Sequence, residues 1–307
     1  MAWAILCPMA WPGAAPAQVD ATSSAAAVAT PLAARIGHSD PSKFHHLSAV
    51  HDGAGTMDFG PILGDRALKE NLIFLHRGVI APHSGIGQHF HNRCEEMFVI
   101  LDGEALFTID GRTATLKGPA GAPDRMGHAH GIYNATDKPV QWLNINVGMT
   151  KVYDTFNLHD DRVGAAIDRV PQFITMRLDR SALKPVAHMD GGRGVVQYRR
   201  TLEPTVFSTP WAYVDHLLIP PAASVGPAAK ATVGEVYYVL SGRGRVSEGD
   251  ETAPVAEGDA VPVEAGVTRS FTAEGGAPLE LMIIGVARDM AAKADLMATP
   301  PARTASR

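Results

Sequence analysis

The chain has 307 residues, enough for two domains of ordinary size or one large one. Its 46% apolar and 19% charged residues exclude long disorder and collagen-like structure, and a formal net charge of −5 leaves no electrostatic footprint for nucleic acid or an anionic membrane. Two cysteines, Cys7 and Cys94, are too few for a disulfide framework.

In chain order, residues 1–34 carry no Lys or Arg. An apolar stretch from Ala2 to Trp11 leads into Ala15-Pro16-Ala17, a small-residue pattern of the kind signal peptidase cleaves. The stretch is too short, and too broken by Pro8, Pro12 and Pro16, to span a bilayer. Residues 1–35 are therefore set apart as a leader. Export to the periplasm is the expectation, and a plain Ala-rich leader on a cytoplasmic protein is the alternative. Leu72–Ile80 reads as a strand ended by proline, and Met97–Leu101 as a buried strand stopping at the hairpin turn Asp102-Gly103. Gln141–Val147 supplies a later strand. A connector of mixed, partly helical sequence near 150–190 follows. Trp211–Ile219, Val236–Leu240 with its turn Ser241-Gly242, and Leu279–Ile284 repeat the pattern, before a helix at about Arg288–Met297 and a polar tail.

The repetition is internal. Glu96-Met-Phe-Val-Ile-Leu-Asp-Gly103 matches Glu235-Val-Tyr-Tyr-Val-Leu-Ser-Gly242 at an offset of 235 − 96 = 139, and the same offset carries Ile80 to Ile219, Pro82 to Pro221, Gly87 to Gly226 and Gly127 to Gly266. Chance does not keep glycines and prolines in step over that distance. The chain is read as all-β, a tandem duplication of one antiparallel barrel or jelly roll. The expected divisions are a leader at 1–35, a first domain at 36–155, a linker at 156–190, a second domain at 191–288, and a helix with tail at 289–307.

One constellation carries chemistry. In Gly87-Gln-His89-Phe-His91-Asn-Arg-Cys-Glu-Glu96 the two histidines alternate by two on extended chain, so both imidazoles point to one side of a sheet, and Glu96 opens the next strand. A fourth ligand from Gly127-His-Ala-His130-Gly-Ile-Tyr133-Asn134, either His128 or His130, closes a set of three nitrogens and one oxygen that suits a first-row divalent metal with open positions. Glu95 falls on the opposite strand face from Glu96. His45, His46 and His51 are read as ordinary histidines, Cys94 as an ordinary thiol, and Gly191–Gly194 as a loop. Asn134-Ala-Thr136 fits a glycosylation sequon, but a structural role for Asn134 explains it better.

The first segment resembles the first motif of the cupin superfamily, His-x-His, four residues, Glu, six residues, Gly, filled by His89, His91, Glu96 and Gly103. Gly127, His130 and Asn134 match the second motif, with Arg125 where that motif has proline. The resemblance covers roughly residues 60–150 and 195–287. It implies a bicupin, two double-stranded β-helix (jelly-roll) barrels with a short C-terminal helix, acting as a homodimer. It makes His89, His91, Glu96 and His130 the ligands of one divalent metal, Fe(II) or Mn(II) before Zn(II), Ni(II) or Cu(II), and leaves His128 and Tyr133 as the residues that orient or protonate substrate. In the second copy the offset turns His89, His91 and His130 into Ala228, Lys230 and Arg269 but keeps Glu235, so no metal is expected there and Lys230 or Arg269 should pair with Glu235. The resemblance points to a metal-dependent dioxygenase on a small oxygen-rich substrate (a hydroxy acid, enediol or phenol). An isomerase or lyase on a sugar- or carboxylate-type substrate is the alternative, and a binding protein without turnover is the third reading.

Overall fold

Runs of β-branched and aromatic residues, cut by Gly and Pro at short intervals, favour strands over helices, and strands dominate the structure, a computed structural model that describes residues 30–298. The proposed leader cleavage site and Cys7 lie outside the described residues. Within them the first barrel packs a large sheet, whose central strands are Leu72–Ile80, Val140–Gly148 and Cys94–Ile100, against a small sheet built on Ser84–Phe90, His130–Asn134 and Glu104–Ile109. The second barrel repeats this with Trp211–Ile219, Leu279–Ala287 and Val233–Ser241 against Ser224–Ala228, Arg269–Glu274 and Arg243–Glu248. Both hairpin glycines adopt the left-handed backbone such turns need, Gly103 at φ 57° and Gly242 at φ 86°.

The two barrels share an interior. Phe98, Phe107 and Ile132 belong to the core of the first, and Tyr237, Phe271 and Val261 to that of the second. A third cluster lies between the large sheets and joins Leu75, Met97 and Ile145 to Trp211, Val214 and Ile284. Burying a side chain of this size contributes about 1.5–3 kcal/mol, so the interface is part of the fold's stability.

The structure redraws the expected boundaries. Gly37 pairs with Ala260 on the edge of the second barrel, and Met176 pairs with Gly121 on the edge of the first. The repeats thus exchange edge strands, and both exchanges obey the 139 offset. Residues 156–190 are not a free linker: Phe156–Asn157 extends the first barrel's small sheet, and Lys184–Ala187 opens the second barrel. Helix in that span is limited to the single turns Arg180–Ala182 and Met189–Gly191. The last helix, Met290–Ala298, buries Ala292 and Lys293, and the Lys293 Nζ donates to the carbonyls of Phe207 and Thr209 at 2.6 Å each. No described helix is long and apolar enough to cross a membrane.

Candidate metal centre

Strand pairing assembles four side chains. His130 lies directly across from His89 on the small sheet, His91 follows just past the strand end, and Glu96 reaches over from the large sheet. All four are buried. The Nε2 atoms of His89, His130 and His91 stand 3.3, 3.1 and 3.5 Å from one carboxylate oxygen, Glu96 Oε2. Their Nδ1 atoms face backbone carbonyls: His89 that of Gly87, His130 that of His128 and His91 that of Asp154. A carbonyl only accepts, so each Nδ1 carries a proton and each Nε2 is the inward atom, which gives its lone pair to a metal once it has shed any proton of its own. The other Glu96 oxygen accepts from Asn144 Nδ2 at 3.0 Å and Asn146 Nδ2 at 3.4 Å, which turns Oε2 toward the imidazoles.

Convergent lone pairs repel unless a cation sits among them. His91 Nε2 is buried with no hydrogen-bond partner, as expected of an atom aimed at a metal ion. The acid–base balance agrees. Burial raises the Glu96 carboxyl, but the facing imidazoles of His130, His89 and His91 outweigh it and hold Glu96 well below the usual range. Burial, with His89 adding to it, pushes His130 down to about 3; His91 resists burial through Cys94 and Glu96 and rises to about 11. A divalent ion bound here would displace the His91 proton and pair with the Glu96 carboxylate.

A cavity of about 350 Å³ opens beside Glu96. Phe59, Phe74, Phe98, Trp142, Ile86 and Val50 form its apolar wall, and His51, His76, Asn144 and Tyr153 its polar part; among the described residues no lysine or arginine lines it. His76 stacks flat on Phe74, ring centroids 4.0 Å apart, and burial lowers its pKa to about 4, so it faces the cavity neutral.

His128 and Tyr133 are corrected by this geometry. His128 precedes the strand, so strand parity does not govern it; its ring turns outward to Asp110 at 2.6 Å, 38% exposed. Tyr133 alternates away from His130 and Ile132 on its strand, and neither residue lines the cavity. His51, read as ordinary, stacks on His89 at 3.9 Å and 15°. Its signal was the same offset run upstream, where His51-Asp-Gly53-Ala-Gly55 aligns with Asp190-Gly-Gly192-Arg-Gly194. Asn144 and Asn146 were legible as two polar residues alternating within an apolar strand. Other expectations hold. Glu95 faces away and accepts from Ser208 and Thr209 of the second repeat, and the Asn134 side chain ties together the carbonyls of Ile80, Ala81 and Lys138.

The second barrel has replaced its ligands with a hydrogen-bonded plug. Arg269 Nη2 lies 3.2 Å from Glu235, whose two oxygens also accept from Tyr213 and Tyr237 at 2.7 and 2.6 Å. Lys230 pairs instead with Asp190, at 3.7 Å. Gly285, at the position of Asn146, leaves room for the Tyr213 ring, which a Cβ there would meet at 2.4 Å. Only about 30 Å³ of cavity remains.

The cupin-domain family profile matches residues 76–146 and 216–285, one match in each barrel. The chain carries two cupin domains. With one such domain in each of two barrels, it is a bicupin in fold. The oxalate-binding protein of Thermotoga maritima is 25% identical over 99 residues, 32% of this chain and 82% of that protein. The oxalate decarboxylase of Lactobacillus farciminis, solved as a formate complex, shares the fold at a TM-score of 0.59 and 14% identity, over 82% of this bicupin and 86% of that chain. Procruciferin, the 11S globulin of Brassica napus, gives 0.62 at 12% over 83% and 85%. Salicylate 1,2-dioxygenase of Pseudaminobacter salicylatoxidans gives 0.53 at 16% over 83% and 78%. Enzymes and a globulin thus share this architecture, which by itself assigns no reaction.

Proposed function

We propose that the first barrel is a metal-dependent oxygenase site for a small aromatic substrate bearing two adjacent oxygens, of the phenol or hydroxybenzoate kind. His89, His91, Glu96 and His130 would hold one divalent ion, Fe(II) or Mn(II), which when bound supplies Lewis acidity and, as iron, O₂ chemistry. The observation that carries the reading is the cavity wall. Four aromatic rings and no cationic side chain suit a flat apolar body that reaches the centre through its oxygens. A bare dicarboxylate would leave those rings uncovered and its second carboxylate without a charged partner in an apolar setting. The chain's own residues do the positioning. Asn144 and Asn146 hold Glu96, the apolar wall excludes water, and neutral His76 offers a hydrogen bond at the cavity face.

The test is oxygen uptake by the iron- and manganese-loaded protein with catechol, salicylate and oxalate as separate substrates. Oxygen consumed with an aromatic substrate and none with oxalate supports the proposal. Turnover of any substrate without oxygen consumption replaces it with the isomerase or lyase reading, and no turnover at all leaves a binding protein.

A further inference from the structure

Two short segments outside the ligand strands close one side of the cavity. The turn after the strand His45–Ser48 is left-handed at Ala49, His51 and Asp52, with φ of 50, 49 and 61°. Non-glycine residues persist in that region only where their surroundings hold them. Here glycines let the turn lie on the ligand strand itself. A Cβ on Gly87 would meet the His51 carbonyl at 2.2 Å, and one on Gly53 the Gly85 carbonyl at 2.4 Å.

The second segment, residues 153–157, crosses the same opening. His51 Nδ1 and Asn157 Oδ1 are 2.8 Å apart, and Asn157 Nδ2 donates to Asp52 at 3.0 Å, so the segment is tied to the turn. Asp154 accepts from the backbone N–H groups of Asn92 and Arg93, fixing it beside His91. The Tyr153 ring lies 5.1 Å from His91 and 5.6 Å from Phe74, and its hydroxyl is 3.5 Å from His51 Nε2. That contact is long for a hydrogen bond, which leaves the hydroxyl proton available to a ligand.

We infer that residues 49–53 and 153–157 form a clasp in which the Tyr153 hydroxyl donates to an oxygen of the chelating substrate while His51, a positioning residue, holds Tyr153 over the centre. The inference rests on the reading of the first barrel as a metal site for a chelating substrate. The second barrel argues for it independently. It has Asp190 at the place of His51, and a helix rather than a crossing segment after its last strand. The barrel without the imidazoles therefore also lacks both clasp residues.

Metal-loaded wild type, Tyr153→Phe, His51→Phe and His51→Gln are titrated with two chelating probes, the aromatic 4-nitrocatechol and the aliphatic acetohydroxamate, with metal content measured in each. Metal content is expected to be the same in all four proteins. Loss of one hydrogen bond weakens probe binding about three- to tenfold in Tyr153→Phe, and His51→Phe, which keeps the stack on His89 but not the bond to Asn157, shows the same loss. His51→Gln restores most of it. The double Tyr153→Phe/His51→Phe variant is no weaker than either single, because the two residues act as one unit. Wild-type affinity in Tyr153→Phe overturns the inference, as does full rescue by Phe at position 51 without rescue by Gln. Tyr153 is 37% exposed, so its variant leaves the core intact and decides the matter even if His51 variants disturb His89. If wild type binds acetohydroxamate and ignores 4-nitrocatechol, the aromatic reading fails while the clasp is still judged on the hydroxamate; binding of neither probe overturns both.

Discussion

Replacing Arg269 by Ala probes whether the second barrel's plug stands in for a metal. The guanidinium is 3% exposed and makes four contacts: Glu235 at 3.2 Å, Asp190 at 2.8 Å, the Tyr237 hydroxyl at 2.7 Å and the Ala228 carbonyl at 2.7 Å. Removing one partner of a buried ion pair costs about 3–5 kcal/mol, because the remaining charge keeps its desolvation penalty. Tyr213 and Tyr237 still donate to Glu235, so the lower figure, about 3 kcal/mol, is expected. For a chain of this size that corresponds to a fall in Tm of roughly 5 °C. The assay is thermal and urea unfolding of the Arg269→Ala protein beside Arg269→Met/Glu235→Gln, which removes both charges and should recover at least half of the loss. Metal content of the first barrel should not change. A single variant within about 1 kcal/mol of wild type would refute the reasoning, since Glu235 would then be compensated by something other than Arg269.

Other expectations follow from the same geometry. Replacing Asn146 by Leu removes one of two groups that aim Glu96, and metal affinity should fall about 10- to 100-fold with the fold intact; a competition titration against a chromophoric chelator checks this. His76, neutral in the fold with a pKa of about 4 against an ordinary 6.5, contributes stability that is complete above pH 6.5 and lost as pH falls through 4. The shift sets an upper bound of about 3 kcal/mol, reduced by the residue's partial exposure. Burial opposes its charging, and Glu96 is the one charged group that favours it. His76→Phe should therefore flatten the acid limb of a stability–pH profile relative to wild type, and an unchanged limb would contradict this. Lys293→Met leaves the Phe207 and Thr209 carbonyls without their shared donor and should destabilise the chain by about 1–3 kcal/mol in urea unfolding.

The barrels were legible in the sequence because each copy carries its own punctuation. Leu72–Ile80 and Trp211–Ile219 end where proline removes a ladder donor, and the strand bounds agree to the residue. The four-residue cluster was legible because strand alternation and one turn bring it together locally. What was missed depends on distant pairing. Met176–Arg177 is two residues long, and only the edge it joins, Gly121 and Ala120, makes it a strand. His51 reaches the centre through a left-handed turn that depends on a glycine thirty-odd residues later in the chain, Gly87, where a Cβ would strike the His51 carbonyl. Tyr153 lies in a segment with no regular structure, held by the side chain of Asp154. His128 misled because a period-two argument was applied to residues that lie outside the strand starting at His130.

Metal analysis of the purified wild-type protein beside a His89→Ala/His91→Ala variant tests the central claim most directly. The account predicts about one transition-metal ion per chain in wild type and none in the variant, with both proteins folded. Equal metal in the two proteins, or none in wild type after loading with iron or manganese, would contradict it.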